Sequence, residues 1–324
     1  MEPTFPLFRL PENAILEVIK YLAIDPLFEF SLISTKTKNI STSLGITAQA
    51  IRIAISRDVG VTVYGRYFNM NCTFYNDSVD ALIHLDSNQP ISAHYRDRYE
   101  WRTVRSFTPL FSFNNWLDHI KTVFCYNKPP NVVIWDGNER FEMKSLKNVI
   151  KSANRLALAG DNTEFRCREI LEHFKNANEL DLGRNPFEEA CEVQKFFMRN
   201  FESIVFHDDV SLDDMLLVNS KRVELYHSIS QKQFNRFLKH WIRGSNPRLQ
   251  FMHLFVDITD SLNGEIYLKG IRCMKMSEDA KGEIRQKHRL SVSVDMIQIR
   301  RKDGTTAVIG VNDSGNILRF IVLH

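Results

Sequence analysis

The sequence lacks any apolar run near the ~18 residues that a membrane-spanning helix needs. Its first twenty residues are interrupted by Glu2, Arg9, Glu12 and Glu17, which leaves no hydrophobic stretch for an export signal. It also lacks an excess of charge of either sign. Lys and Arg number 42 against 39 Asp and Glu, a net +3 over 324 residues, so there is no electrostatic footprint for nucleic acid or an anionic membrane. Cysteine is sparse: Cys72, Cys125, Cys167, Cys191 and Cys273, none closer than 24 residues to the next and none in a C-x-x-C pair. An odd, scattered set in a chain of this size reads as free thiols, mostly in the core, in a reducing compartment. The expectation is an intracellular protein, cytoplasmic and/or nuclear.

Signatures of catalysis are missing too. There is no G-x-S-x-G, no Walker A loop and no G-x-G-x-x-G, and the ten histidines form no H-E-x-x-H. His207-Asp208-Asp209 reads as a solvated turn. Glu188-Glu189 and Asp213-Asp214 sit where helix starts favour acids. No catalytic residue, metal or cofactor is expected, and the chain reads as non-enzymatic.

What is present starts with an apolar, helical N-terminal region. Pro11 suits a first helical turn, and Ile15, Val18, Ile19 and Leu22 then form a stripe on one face. Asp25-Pro26 reads as the N-cap and first residue of a second helix carrying Leu27, Phe28, Phe30 and Ile33. Ser34 caps a third, through Thr35–Leu44. Three helices this short hold more apolar groups than their own interior can bury.

Together, Leu10-Pro11, Ile15-Leu16, Val18-Ile19, Leu22, Leu27 and Ile33-Ser34 resemble an F-box, with Thr37 near the place where that family often has Trp. The resemblance implies a module over residues 1–45 that docks on the Skp adaptor of a cullin–RING ubiquitin ligase. It implies Leu10, Pro11, Ile15, Leu16, Ile19, Leu22, Leu27, Ile33 and Ser34 as the adaptor-binding residues.

The middle of the chain repeats. Ala153-Asn154-Arg155-Leu156-Ala157-Leu158 recurs 24 residues on as Ala177-Asn178-Glu179-Leu180-Asp181-Leu182. The same step leads back to Val132 and forward to Ile204, and looser copies follow at Val223 and Leu249. Each short strand pattern follows a helical one, the last helix holding Phe234, Phe237, Leu238 and Trp241 and ending at Gly244. Helix-then-strand units at this period predict an irregular, leucine-rich-repeat-like βα array with a parallel sheet over residues 113–260. Alternation then places Val133, Trp135, Asp181, His207, Tyr226 and Met252 on the open face of the sheet, as candidate target-binding residues.

The flanks alternate with a period of two. Ile51, Ile53 and Ile55, then Val61–Tyr64, mark a β-rich segment over 46–112. In Tyr95–Arg102, the aromatics Tyr95, Tyr99 and Trp101 interleave with Arg96, Arg98 and Arg102. Such interleaving occurs in single-strand nucleic-acid binders, but near-zero net charge favours an ordinary half-buried strand. Around Lys302-Asp303-Gly304, alternating runs predict a C-terminal antiparallel β meander within 285–324.

Leu216–Ser220, Phe237–Leu249 with its Trp241-Ile242-Arg243-Gly244-Ser245-Asn246-Pro247-Arg248-Leu249 stretch, Leu268-Lys269-Gly270-Ile271 and Arg300–Thr305 resemble the type 2 F-box-associated domain of a large nematode family of F-box proteins. That domain would span 46–324. The combined resemblance implies an α/β receptor: the Skp-type adaptor, and through it a cullin–RING ligase, binds one end, and an unknown target protein binds the other. No nucleic acid, membrane or cofactor partner is implied. The competing reading is a ligase-independent protein-interaction module.

Overall fold

The computed structural model describes residues 9–75, 82–97, 100–103, 111–257, 266–312 and 316–323, with the side chains at 12, 95–103 and 190 left undescribed. Contacts divide the chain into two compact units, Met1–Leu156 with Arg168–Asn176, and Ala157–Cys167 with Ala177–His324. Among the described residues, no helix is long and apolar enough to cross a membrane.

The first unit opens with α1 (Glu12–Ile19), α2 (Ile24–Ser31) and α3 (Thr35–Ser43). Pro11 is the N-cap of α1, as its fixed backbone allows. The second helix begins earlier than predicted. Ala23 is its N-cap, and Asp25 lies within the first turn, where its charge still favours the helix dipole. Ser34 caps α3 and forms a reciprocal box with Thr37.

Strands β1 (Ala50–Ile55), β2 (Val59–Tyr64), β3 (Asn69–Phe74), β4 (Ala93–Asp97) and β5 (Glu100–Thr103) follow, then α4 (Phe113–Val123), β6 (Asn131–Ile134) and α5 (Met143–Val149). Their order in the sheet is β6-β1-β2-β3-β4-β5, with only β1–β6 parallel. Ile51, Ile53 and Ile55 pair with Val63, Val61 and Val59, and all six are fully buried. The predicted single strand at 95–102 is two antiparallel strands, with Tyr95 opposite Arg102 and Arg96 opposite Trp101. The interleaved residues of that predicted strand are therefore divided between β4 and β5, and Arg98 and Tyr99 lie outside the described residues.

Phe28 fastens the N-terminal helices to this body. It is 2% exposed. Its ring lies 6.5 Å from that of Trp116, 5.7 Å edge-on from His119 and 6.0 Å stacked from Phe124. Beside it, the Ser31 hydroxyl donates to the Phe28 carbonyl at 2.6 Å and lies 2.7 Å from His119 Nε2. Since the single hydroxyl proton is committed to the carbonyl, Nε2–H donates to the Ser31 oxygen. Burial, then the Lys38 ammonium, push His119 down to about 4, so the ring is neutral near pH 7.

β7 (Arg155–Leu158) and α6 (Glu164–His173) are shared between the units. The second unit holds β8 (Glu179–Leu182), α7 (Ala190–Phe197), β9 (Ser203–Phe206), α8 (Leu212–Leu217), β10 (Arg222–Ser230), α9 (Gln231–Arg243), β11 (Phe251–Asp257), α10 (Glu278–His288), β12 (Asp295–Arg300), β13 (Thr306–Val311) and β14 (Ile317–Leu323). The order is β8-β9-β10-β11-β14-β13-β12. The pairings β8–β9, β9–β10 and β10–β11 are parallel, and the predicted meander joins antiparallel through β14.

The strands β6 to β9 stand at the predicted 24-residue steps because each step holds one short helix and one four-residue strand. On one face of the second unit's sheet, Phe197 meets Phe206 edge-on at 5.3 Å, and Phe237 and Trp241 of α9 meet Phe320 at 6.1 and 5.0 Å. Helix α10, which the sequence did not announce, packs on the opposite face, over the meander. Its Ile284 joins Val294, Met296, Val308 and Ile321.

The distinctive Trp241–Leu249 stretch is structural. Trp241 is fully buried and Gly244 ends α9 at φ 122°, a conformation that favours glycine. Asn246 follows at φ 51° in the left-handed region that Asn tolerates. Its buried amide donates to the carbonyls of Met215 at 2.9 Å and Val218 at 2.8 Å, closing the end of α8.

The cysteines correct the composition-based reading. Cys72 and Cys167 are buried, but Cys125, Cys191 and Cys273 are exposed, and all five are free thiols. Burial pushes Cys72 up to about 12, which leaves it inert.

Two outcomes follow from this packing. Asn246→Asp keeps shape and backbone tolerance but removes the donor, so it lowers the unfolding free energy by about 1–3 kcal/mol, read by urea titration. His119 binds a proton more readily in the unfolded chain, so its contribution is complete above about pH 6.5 and is lost as pH falls towards 4, by at most about 3 kcal/mol. The stability difference between wild type and His119→Gln, measured at pH 7 and pH 4.5, narrows at the lower pH.

Candidate functional site

Two surfaces emerge, one in each unit. In the first, the side chains of α1–α3 sort into an inner and an outer set. Ile15, Ile19, Leu27 and Ile40 are 1–3% exposed and pack together, with Leu10, Leu16, Ile24, Phe30, Leu44 and Ile46 partly buried around them. Outside this cluster, Val18 is 48% exposed, Tyr21 88%, Leu22 39% and Ile33 42%, and Pro11 is also exposed. The nine residues suggested by the resemblance therefore divide. Ile15, Ile19 and Leu27 hold the helices to one another. Leu10 and Leu16 are shared between cluster and surface. Pro11, Leu22 and Ile33 face outward. Ser34 is exposed and serves as the cap of α3, its Oγ accepting from Thr37 N at 3.2 Å while Thr37 Oγ1 accepts from Ser34 N at 2.9 Å. Thr37, fully buried, completes the cap. Tyr21 went unremarked in the sequence, although it directly precedes Leu22 and extends the same apolar surface.

The second surface is the open face of the sheet over β8–β11 and β14. Strand register aligns its side chains in rows. One runs Glu179, Ser203, Arg222, Phe251 and ends at Ile321, which α10 covers, and the next runs Asp181, Val205, Glu224, His253, Arg319. Beyond their ends, His207, Tyr226, Phe255 and Ile317 continue the face. The structure brings together three of the predicted residues here. Asp181 Oδ1 lies 3.5 Å from His207 Nε2, and the His207 ring stacks on Tyr226 at 4.4 Å and 5°. The stack extends to Phe255, 5.9 Å from Tyr226, and to His253, 5.5 Å from Phe255. The Tyr226 hydroxyl donates to Glu224 Oε2 at 3.3 Å, and Glu224 Oε1 accepts from Arg222 Nε at 2.8 Å. Arg222 in turn lies 4.4 Å over the Phe251 ring.

Met252 does not belong to this face. It is fully buried and pairs with inward-facing Val223, so the outward residues of β11 are Phe251, His253 and Phe255. The predicted anchor at Leu249 falls in the loop before the strand, which shifts the inside–outside phase by one residue. Val133 is half-buried and Trp135 46% exposed, but both lie in the first unit.

The face is irregular where its aromatics gather. The register of β10 against β11 passes from Leu225↔Leu254 to Ser228↔Phe255, so Tyr226 and His227 are extra residues in the ladder. Bulges of this kind re-aim side chains and cluster beside functional sites. His227 Nδ1 pairs with Asp209 Oδ1 across this bend.

Electrostatically, His253 is pushed down by burial first and by Arg319 next, against the opposing pull of Glu224. Its Nε2 is buried with no hydrogen-bond partner. The Arg319 guanidinium opposite makes no hydrogen bond or ion pair among the described residues. The face thus offers aromatic surface beside an unsatisfied ring nitrogen and a guanidinium donor.

Among the described residues, Glu189, Cys191 and Glu192 bring potential metal-ligand atoms within 4.8 Å of one another. They form the exposed start of α7, and the hydrogen bond to Glu189 pushes the Cys191 thiol up, favouring the protonated form that metal binding would have to displace. The other acid pair behaves as predicted. Asp214 completes a capping box with Ser211 at the start of α8.

Comparison with known proteins bears on both surfaces. Residues 7–49 match the F-box domain family, and residues 192–254 match the family described as F-box associated. The F-box associated domain-containing protein sdz-33 of Caenorhabditis elegans is 22% identical over 247 residues, which cover 76% of this chain and 76% of that protein. No solved structure matches significantly. Helices α1 to α3 of the first unit lie within the first match, and β9, β10 and the start of β11, as far as Leu254, lie within the second. The chain carries an F-box domain followed by an F-box-associated domain.

Proposed function

We propose that this chain is the substrate-recognition subunit of an SCF-type cullin–RING ubiquitin ligase. Its F-box docks on a Skp-type adaptor, and the open face of its leucine-rich-repeat-like βα array holds a target protein. Its part is to position a target, with the transfer chemistry supplied by other subunits. The reading rests above all on the outer set of α1–α3. Val18, Tyr21, Leu22 and Ile33 stay exposed although the same helices already close a cluster of their own around Ile15, Ile19, Leu27 and Ile40. An apolar surface left over after the interior has closed favours a partner. Pro11 and the partly buried Leu10 and Leu16 border that surface.

Target binding is assigned to Asp181, His207, Tyr226, His253, Phe255 and Arg319. Aromatic anchors beside an unpaired guanidinium match the residue types that dominate protein interfaces.

Two measurements test the assignments separately. Leu22→Glu combined with Ile33→Glu weakens binding to purified Skp-type adaptor by about thirtyfold or more, corresponding to about 2 kcal/mol. Its melting temperature stays at the wild-type value because both sites are exposed. Undiminished adaptor binding, or none by wild type, sinks the ligase reading and leaves the ligase-independent module. Tyr226→Ala with Phe255→Ala, expressed in cells with the proteasome blocked, retains the adaptor but loses proteins that wild type retains. Recovery of the same proteins by both places the target elsewhere.

A further inference from the structure

The first unit contains a cleft of about 510 Å³ that neither protein-binding surface uses. It lies between the later turns of α4, the turn at Asn127–Pro130 and the segment that leaves α5. Its wall carries three ammonium groups, Lys121, Lys128 and Lys151, and one carboxylate, Asp118. None of the three ammoniums makes an ion pair or hydrogen bond among the described residues. Asn114, Asn127 and Ser152 add neutral polar groups, the Asn148 amide donates to Asp86 Oδ2 at 2.6 Å, and Leu117, Pro129, Pro130 and Val149 supply an apolar wall.

Lys121 is the informative member. It is partly buried, and burial, reinforced by Lys151 against the pull of Asp118, lowers its affinity for its proton. An ammonium partly held from water is costly, and within the protein only the nearby Asp118 charge offsets that cost, with no hydrogen bond or ion pair to Lys121 among the described residues. The local carbonyls do not serve it. The Lys121 carbonyl accepts from Tyr126 N at 2.8 Å, and that of Ile150 is within 2.9 Å of His173 Nε2. An anion in the cleft satisfies Lys121 and draws in Lys128 and Lys151 at once.

We infer that this cleft binds a small organic phosphate monoester, its phosphate held by Lys121, Lys128 and Lys151 and its organic part lying along Leu117 and the two prolines. Charge selects the ligand class. Three cations against one carboxylate leave a surplus of two positive charges, matched by the near-dianionic monoester at neutral pH. Size selects the small-molecule source, since the volume lies in the range of clefts that hold such ligands and exceeds what a bare ion fills. Aspartate at 118 weakens the site and thereby tunes it.

Calorimetric titration of the full chain at low ionic strength tests this, with glucose 6-phosphate, glucose, inorganic phosphate and a phosphoserine peptide as probes. Glucose 6-phosphate is expected to bind with Kd below about 1 mM, and glucose not at all. Lys121→Gln and Lys151→Gln each weaken binding about tenfold. Asp118→Asn tightens it by about threefold or more, a gain that a misfolded variant cannot give. The inference is overturned if glucose 6-phosphate binds no better than glucose or inorganic phosphate, if the lysine variants leave its affinity unchanged, or if only the phosphopeptide binds.

Discussion

The aromatic socket around Phe28 is the contact on which the first unit depends. Three short helices of eight, eight and nine residues cannot hold their own geometry in water, because isolated helices of this length are marginal. Their private cluster of Ile15, Ile19, Leu27 and Ile40 is small. Phe28 adds a full aromatic side chain inserted among Trp116, His119 and Phe124, a burial whose loss costs about 3–5 kcal/mol in comparable cores. The hydrogen bond from His119 to Ser31 fixes rotation at the same point. With orientation settled from within, the outward residues of these helices have no structural duty. That freedom allows Val18, Tyr21, Leu22 and Ile33 to remain exposed without loosening the fold.

The second unit solves the converse problem. Its helices α7 to α9 stack on one face of the parallel strands, and α10 covers the meander end of the other as far as Phe251 at the start of β11, whose ring stacks on His288. The rest of that face is left with the side chains that strand alternation assigns to it. Arg222, Glu224 and Tyr226 keep one another in place through hydrogen bonds and ring contacts, which makes the surface ordered before any partner arrives. Ordering in advance reduces the entropy lost on binding.

Much of this was legible in the residues. The 24-residue recurrence located β6 to β9, the Asp-Gly turn located the hairpin of β12 and β13, and the Leu-Pro start located α1. What could not be read has identifiable causes. Helix α10 has one buried apolar residue, Ile284, so no amphipathic stripe marked it. The phase of β11 depended on a loop whose geometry Asn246 sets through carbonyls some thirty residues earlier, a contact invisible to local periodicity. The slip at Met252 is the result, since one residue of error reverses inside and outside in a strand. The cluster around Tyr226 needed register across five strands, although its members Asp181, His207 and Tyr226 were each identifiable by alternation alone. Phe28 and His119 stand 91 residues apart, and nothing in either stretch points to the other.

The division between inward and outward positions also explains how such a chain is built to vary. Inward residues such as Leu180, Ile204, Val223 and Met252 are at most 1% exposed, where truncation costs about 2–5 kcal/mol. Most outward positions tolerate substitution within about 0.5 kcal/mol. The distinctive Trp241–Leu249 stretch belongs to the first class: its tryptophan, glycine and asparagine each meet a steric or hydrogen-bonding demand of the fold. A recognisable stretch of sequence here marks the scaffold, whereas the outward positions are those that its packing constrains least. Asp181, His207, Tyr226, His253, Phe255 and Arg319 are outward positions whose contacts are with one another on the sheet surface rather than with the inward packing of the βα framework.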